Sequence, residues 1–115
     1  MLNTKDEGRL LQIIKHCSRI NNKMKNITIK QFNNDEDLRE IICFNIFQIG
    51  ELAKGLSTSF TKEFNDVPWK QIKGMRDIIG HGYGTIDVEI VYNTANTDIV
   101  KLNKYCKKIL DNHKV

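Results

Sequence analysis

The chain has 115 residues, a net charge of +4 and a pI near 9.0, with 40% hydrophobic and 28% charged residues. This length predicts one domain, residues 1–115, that buries a core without disulfides or metals, and the composition excludes a disordered chain. Apolar runs are only a few residues long, as at 41–44, and residues 1–8 are too polar for a secretory signal. These features exclude a membrane span and predict a cytoplasmic protein, while the charge is compatible with a polyanionic partner.

The first helix is predicted over residues 6–24, because its apolar side chains follow the spacing of an amphipathic helix. They are Leu10, Ile13, Ile14, Cys17, Ile20 and Met24. Lys15, Arg19 and Lys23 repeat every four residues on another face. A solvated helix face is the commoner explanation for these cations, and a track for a phosphate backbone is the alternative. Residues 28–34 are predicted to be a connector.

A second helix is predicted to begin at Asn33, Asn34 or Asp35, which are good N-cap residues, and to end near Leu52 or Lys54. It is apolar nearly all round, which indicates a central helix or an interface. One stripe comprises Leu38, Ile41, Ile42, Asn45, Ile49 and Leu52, and further apolar residues are Cys43, Phe44, Ile46 and Phe47. A single bundle covers both sides poorly, so we expect a homodimer that buries part of this helix.

Gly50 and Glu51 stand out in this helix. A glycine costs roughly 1 kcal/mol in a helix interior relative to alanine, which predicts close helix packing at Gly50. Glu51 and Asn45 are the polar exceptions near the apolar surface.

The rest of the chain predicts three further helical segments. Phe60 and Phe64 indicate a short helical turn. The next helix begins near Pro68 and ends around Gly82, and its predicted buried side is Trp69, Ile72, Met75 and Ile79. Asp87 caps a last helix of about six turns. No alternating pattern requires a strand, so the predicted fold is all-α, an up-and-down bundle of four to five helices.

Cysteine and histidine spacing predicts neither a metal site nor a cofactor. Cys17, Cys43 and Cys106 lie far apart at apolar helical positions, which favours buried free thiols. His16 and His113 have no partner at ligand spacing, and we predict both as surface residues.

Chemistry concentrates in residues 76–83, where Arg76, His81 and Tyr83 stand at the glycine-rich end of a helix. Residues five apart on a helix lie roughly 140° apart around its axis, so Arg76 and His81 do not share a face. Asp77 lies one turn before His81. A joint site of Arg76 and His81 therefore requires a loosened helix end or a second copy of the chain.

The Arg-x4-His-x-Tyr pattern of Arg76, His81 and Tyr83 resembles the signature of HepT-like toxins in the HEPN superfamily. The segment 49–57, with Gly50 and Glu51, resembles the family's Gly-Glu helix, and 67–76 resembles the run before its active site. Two positions depart from the family pattern. Gly82 stands where the family usually has Asp, and Asp77 stands where it often has Asn, so Asp77 is expected to pair with Arg76 or orient His81.

The resemblance implies a HEPN-like bundle that forms a homodimer and cleaves RNA without a metal. Arg76 and His81 of both subunits would line a composite cleft, with Asp77 and Tyr83 in supporting, RNA-positioning roles. It further implies a type II or type VII toxin–antitoxin pair, whose small nucleotidyltransferase (MNT-type) antitoxin adds AMP to Tyr83. Two alternatives remain. One is a binding module that docks a nucleotidyltransferase without cleaving RNA, and the other is a plain helical dimerisation protein.

Overall fold

The computed structural model describes residues 2–79 and 86–113, which form an all-helical fold, as the sequence predicts. Seven α-helices follow one another: α1 Thr4–Lys23, α2 Ile29–Asn34, α3 Glu36–Lys54, α4 Thr58–Glu63, α5 Trp69–Ile79, α6 Val88–Asn93 and α7 Ile99–Asn112. A π-helical segment, Thr94–Asp98, joins α6 to α7. The largest contacts are those of α3 with α5 and α1, followed by that of α1 with α7, so α1 and α3 form the centre of the bundle.

The predicted helix starts at Asp35 and Asp87 are confirmed. The Asp35 side chain accepts a hydrogen bond from the Leu38 amide, and the Asp87 side chain accepts bonds from the amides of Glu89 and Ile90. These contacts satisfy amides that would otherwise lack partners in the first turn of each helix.

The prediction of a connector over residues 28–34 is wrong, because most of this segment forms α2. Thr28 and Gln31 make a reciprocal capping box. The Gln31 backbone amide donates to Thr28 Oγ1 at 3.1 Å, and the Thr28 backbone amide donates to Gln31 Oε1 at 2.9 Å. Only Phe32 of α2 is buried. A helix this short shows no repeating apolar stripe, which is why periodicity missed it.

The predicted last helix is interrupted by the π-helical segment rather than continuous. Val91, Ala95 and Ile99 are all buried and lie four residues apart. On a regular α-helix, each such step rotates a side chain by about 40°, so two steps would move Ile99 about 80° toward the edge of the buried face. The wider π turn absorbs this rotation and keeps the three side chains on the buried side.

The core confirms most of the predicted buried positions. Trp69, Ile72 and Met75 are buried on α5, while the side chain of Ile79 lies outside what the structure describes. Across residues 2–79 and 86–113, no helix is both long and apolar enough to cross a membrane.

The two apolar sides of α3 differ in burial, which agrees with the expectation that one bundle does not cover both. Ile42 and Ile49 have no exposed surface, so one chain covers that side of α3. Ile41 and Phe44 are the large apolar residues of α3 that stay exposed.

Candidate functional site

Arg76 lies where α5 packs closely against α3. A Cβ atom added at Gly50 would lie 3.0 Å from the Arg76 backbone nitrogen and 3.2 Å from its Cβ. The predicted close packing at Gly50 is therefore confirmed, and its partner is the backbone of Arg76 itself. Only glycine lets the two helices meet here without a shift, and the contact fixes where the arginine side chain begins.

Glu51 follows Gly50 on α3, and its carboxylate contacts the guanidinium group of Arg76. Arg76 Nη1 lies 2.8 Å from Glu51 Oε1, and the two side chains are 37% and 39% exposed. Glu51 Oε1 is shielded from solvent and accepts no well-aligned hydrogen bond from the described residues, so the contact is an ion pair. An arginine has five N–H donors, and this one is still partly exposed, so donors remain for an anionic ligand.

Asp77 makes a second, weaker contact. Its Oδ1 lies 3.7 Å from Arg76 Nε, and its side chain is 81% exposed. Solvent screens a pair of this kind, so it adds little stability. The predicted pairing of Asp77 with Arg76 is thus present, but Glu51 is the closer partner.

The other predicted site residues are His81 and Tyr83, together with the neighbouring Gly82. All three lie outside the described residues. Of the predicted site, the structure brings Arg76 and Asp77 together, and it adds Glu51, to which the sequence reasoning gave no role. The sequence feature that could have identified Glu51 is the adjacent Gly50. A glycine inside a helix indicates close packing against another helix, and the residues beside it are near enough to contact that helix.

The start of α5 is anchored independently of the arginine. The indole Nε1 of buried Trp69 donates to the Phe64 carbonyl at 2.9 Å, and its ring lies 5.7 Å from that of Phe60. These contacts fix α5 at the opposite end from Arg76.

His16 and His113, which we predicted as surface residues, are only partly exposed, and both make polar contacts. His16 Nδ1 lies 2.7 Å from Asn45 Oδ1, so α1 and α3 are joined by a polar contact. His113 Nδ1 lies 2.9 Å from the Ile109 carbonyl, and its ring meets Phe64 edge-on. Periodicity within one helix does not show which residues of another helix come near.

The prediction of buried free thiols is confirmed for all three cysteines. Burial raises the pKa of Cys43 to about 11 and that of Cys106 to about 12, and it raises the pKa of Cys17 as well. Thiols that stay protonated are poor nucleophiles, which excludes them as reactive centres.

Comparison with known proteins gives one consistent result. The family model for the HepT-like ribonuclease, "Ribonuclease HepT-like", matches residues 13–109. A Caldanaerobacter subterraneus subsp. tengcongensis protein named "Putative RNase" is 32% identical over 105 residues, covering 91% of this chain and 94% of that protein. A Methanocaldococcus jannaschii protein of the same description is 27% identical, covering 83% and 87% of the two chains.

A third relative, the "Probable ribonuclease HepT" of Thermococcus cleftensis, is 31% identical over 61 residues. That match covers 53% of this chain and 56% of that protein. No solved structure shows significant similarity to the chain.

Proposed function

Because the chain belongs to the HepT-like ribonuclease family, we propose that it is a toxin-type endoribonuclease whose active site contains Arg76 and His81. The family match supports ribonuclease activity. The observation that supports the role of Arg76 is its placement: Gly50 fixes its backbone, Glu51 orients its guanidinium, and a third of the side chain still faces solvent. Catalysis by charge stabilisation requires a donor held in place before the substrate arrives.

The proposed reaction needs no external nucleophile. In RNA, the 2′-hydroxyl oxygen attacks the adjacent phosphorus while His81 accepts its proton, and the bond from phosphorus to the 5′ oxygen breaks. The leaving 5′ oxygen takes up a proton from water, and His81 returns the proton that it accepted to solvent. The products are a 2′,3′-cyclic phosphate and a 5′-hydroxyl. Arg76 stabilises the negative charge that grows on the phosphate oxygens.

The proposed active unit is a homodimer. On an ideal helix, residues five apart such as Arg76 and His81 would not share a face, so a second copy is one way to bring both groups to one phosphate. Light scattering should therefore give twice the chain mass. A monomer at tens of micromolar, where even an interface of about 8 kcal/mol is populated, would contradict the composite cleft.

The proposed regulation is addition of AMP to Tyr83 by a nucleotidyltransferase antitoxin, which the resemblance suggests. The added phosphate would compete with RNA for nearby cations. Mass spectrometry after incubation with the partner and ATP should find AMP on Tyr83 and none on the Tyr83→Phe variant. AMP on another residue would contradict this mechanism.

The decisive experiment is cleavage of RNA by the purified protein in the presence of a chelator. We expect fragments that end in a 2′,3′-cyclic phosphate, and we expect Arg76→Ala protein prepared in the same way to form them at least about 10²-fold more slowly. If the wild type leaves RNA intact but binds a nucleotidyltransferase, the chain is a binding module instead.

A further inference from the structure

A shallow, open groove of about 470 Å³ lies between α1 and α3 on the outside of the bundle. It is lined by Arg19, Lys23, Glu40, Ile41, Phe44 and Asn45. None of these residues belongs to the proposed catalytic group.

The α1 wall of the groove is cationic. Arg19 and Lys23 are both exposed, and they lie one helical turn, or about 6 Å, apart. Neither makes an ion pair with a carboxylate of the described residues. Glu40 lies on the other wall, so the groove keeps a net positive charge. Two unpaired cations in one groove are suited to the phosphates of a nucleic acid strand.

The α3 wall contributes an aromatic ring. Phe44 is 47% exposed, so its ring is available to a ligand. Cations that follow a backbone, with an aromatic ring on which a base stacks, are the elements by which proteins bind single strands.

A polar contact fixes the distance between the two walls. Asn45 is 1% exposed, and its Nδ2 donates to the Ile41 carbonyl at 2.7 Å. Its Oδ1 therefore accepts from His16 Nδ1 at 2.7 Å, which joins α3 to α1. The groove is consequently formed before any ligand binds.

The groove faces the same side of α3 as the arginine contact. Phe44 and Glu51 are seven residues apart, which places them within about 20° around the helix axis and about 10 Å along it. Glu51 is the residue that holds Arg76. Neighbouring nucleotides of one strand can therefore reach both places.

We propose that the groove between α1 and α3 is a subsite for single-stranded RNA, where Arg19 and Lys23 bind phosphates and Phe44 stacks on a base. This inference rests on the proposed ribonuclease function and assigns where the substrate strand lies beside Arg76. A second copy of the chain is the competing occupant, because the expected homodimer buries part of α3, but RNA fits this groove better. The exposed apolar surface here comes only from Ile41 and Phe44, and a second copy would bury unpaired cations.

The test measures binding of a short fluorescein-labelled single-stranded RNA with 2′-O-methyl groups, which the protein cannot cut. Arg19→Gln/Lys23→Gln should weaken binding and lower the slope of log Kd against log salt by about 0.7 for each lost phosphate contact. Phe44→Leu keeps the apolar bulk but removes the ring, so binding should weaken by at least about fivefold with no change in slope. Phe44→Tyr should bind like the wild type.

Matched variants control for charge. Lys62→Gln/Lys108→Gln removes the same two positive charges outside the groove. Its Kd for the RNA should stay within about twofold of the wild-type value. Glu40→Gln should tighten binding by roughly twofold to fivefold, the size of an exposed charge interaction.

Cleavage of unmodified RNA, measured in parallel, separates the two proposals. If the groove variants bind like the control pair while the wild type cleaves RNA, the subsite is wrong and the ribonuclease stands. If binding depends on the groove but the wild type never cleaves, the ribonuclease proposal fails alone. If Phe44→Leu instead converts a dimer into a monomer, the groove is an interface between copies and the inference is overturned.

Discussion

Asp6 and Arg76 each join two helices through a charged side chain, but they do so in opposite ways. Asp6 is 3% exposed. Its carboxylate accepts hydrogen bonds from the Ser57 backbone amide at 2.9 Å, the Ser57 hydroxyl at 2.6 Å and the Asn3 side-chain Nδ2 at 2.8 Å. Arg76 is partly exposed, and it meets Glu51 in an ion pair.

The difference separates a structural charge from a candidate functional one. The Asp6 carboxylate is buried and accepts its hydrogen bonds from within the chain. These bonds therefore increase the free energy of unfolding. Arg76 is held at a tightly packed crossing, yet 37% of its side chain is exposed, so part of it stays available to a ligand. Stability and activity should therefore respond separately to changes at the two places.

Arg76→Ala should give one of the two largest effects on activity. RNA cleavage should fall by about 10²- to 10³-fold, because a fixed charge donor is lost. The melting temperature should hardly change, since an exposed ion pair contributes about 0–1 kcal/mol. Lys73→Ala, one turn earlier on the same helix, is the matched control for cleavage and thermal melting. Equal losses in the two variants would remove the special role of Arg76.

His81→Ala should reduce cleavage by about 10²- to 10⁴-fold, the usual effect of losing a general acid or base. The circular dichroism spectrum should keep its helical shape. Full cleavage by pure variant protein would refute the catalytic role of His81, and collapse of the fold would assign it a structural one.

Gly50→Ala should affect both stability and activity, because the new methyl group meets the Arg76 backbone. We expect a loss of about 1–3 kcal/mol in the free energy of unfolding, measured with urea, together with slower cleavage. Gly74→Ala on α5 is the control, because a Cβ there meets nothing within 4 Å. It should stabilise the protein by about 0.4–1 kcal/mol. If the two variants behave alike, the crossing is not tightly packed.

Asp6→Asn should cost stability without affecting the cleavage rate. Burial raises the pKa of Asp6, but the hydrogen bonds from Ser57 and Asn3 outweigh it and hold the pKa below its ordinary value. The stabilisation is therefore present above the unfolded pKa of about 3.9, and it is lost as the pH falls through the folded pKa.

Urea unfolding across pH checks this dependence. Asp6→Asn should be less stable than the wild type by about 1–3 kcal/mol at neutral pH, and the difference should shrink in acid. Glu7→Gln, at the exposed neighbour, should show neither effect. A constant difference at every pH would mean that the carboxylate charge is not what Ser57 recognises.

Asp77→Asn should give the smallest change. The free energy of unfolding should stay within about 0.5 kcal/mol, because Asp77 is exposed and its contact with Arg76 is long. RNA should bind slightly more tightly, since one negative charge beside Arg76 is removed. Weaker binding in an anisotropy titration would indicate that Asp77 positions the arginine after all.

Much of this molecule could be predicted from residue spacing. The apolar stripes gave the long helices, and Asp35 and Asp87 gave two of their starts, because a helix repeats every 3.6 residues and its first amides need acceptors. Spacing failed at α2, whose six residues bury only Phe32, and at Thr94–Asp98, where the period itself changes.

By itself, the sequence determined the long helices, the N-caps at Asp35 and Asp87, and the motif that resembles HepT-like toxins. The tertiary structure decided which distant residues meet: Gly50 and Glu51 with Arg76, His16 with Asn45, and Ser57 with Asp6. The physical reason is that these contacts depend on how two helices cross. A helix presents several faces, and only the packing of the whole core selects which face meets which neighbour.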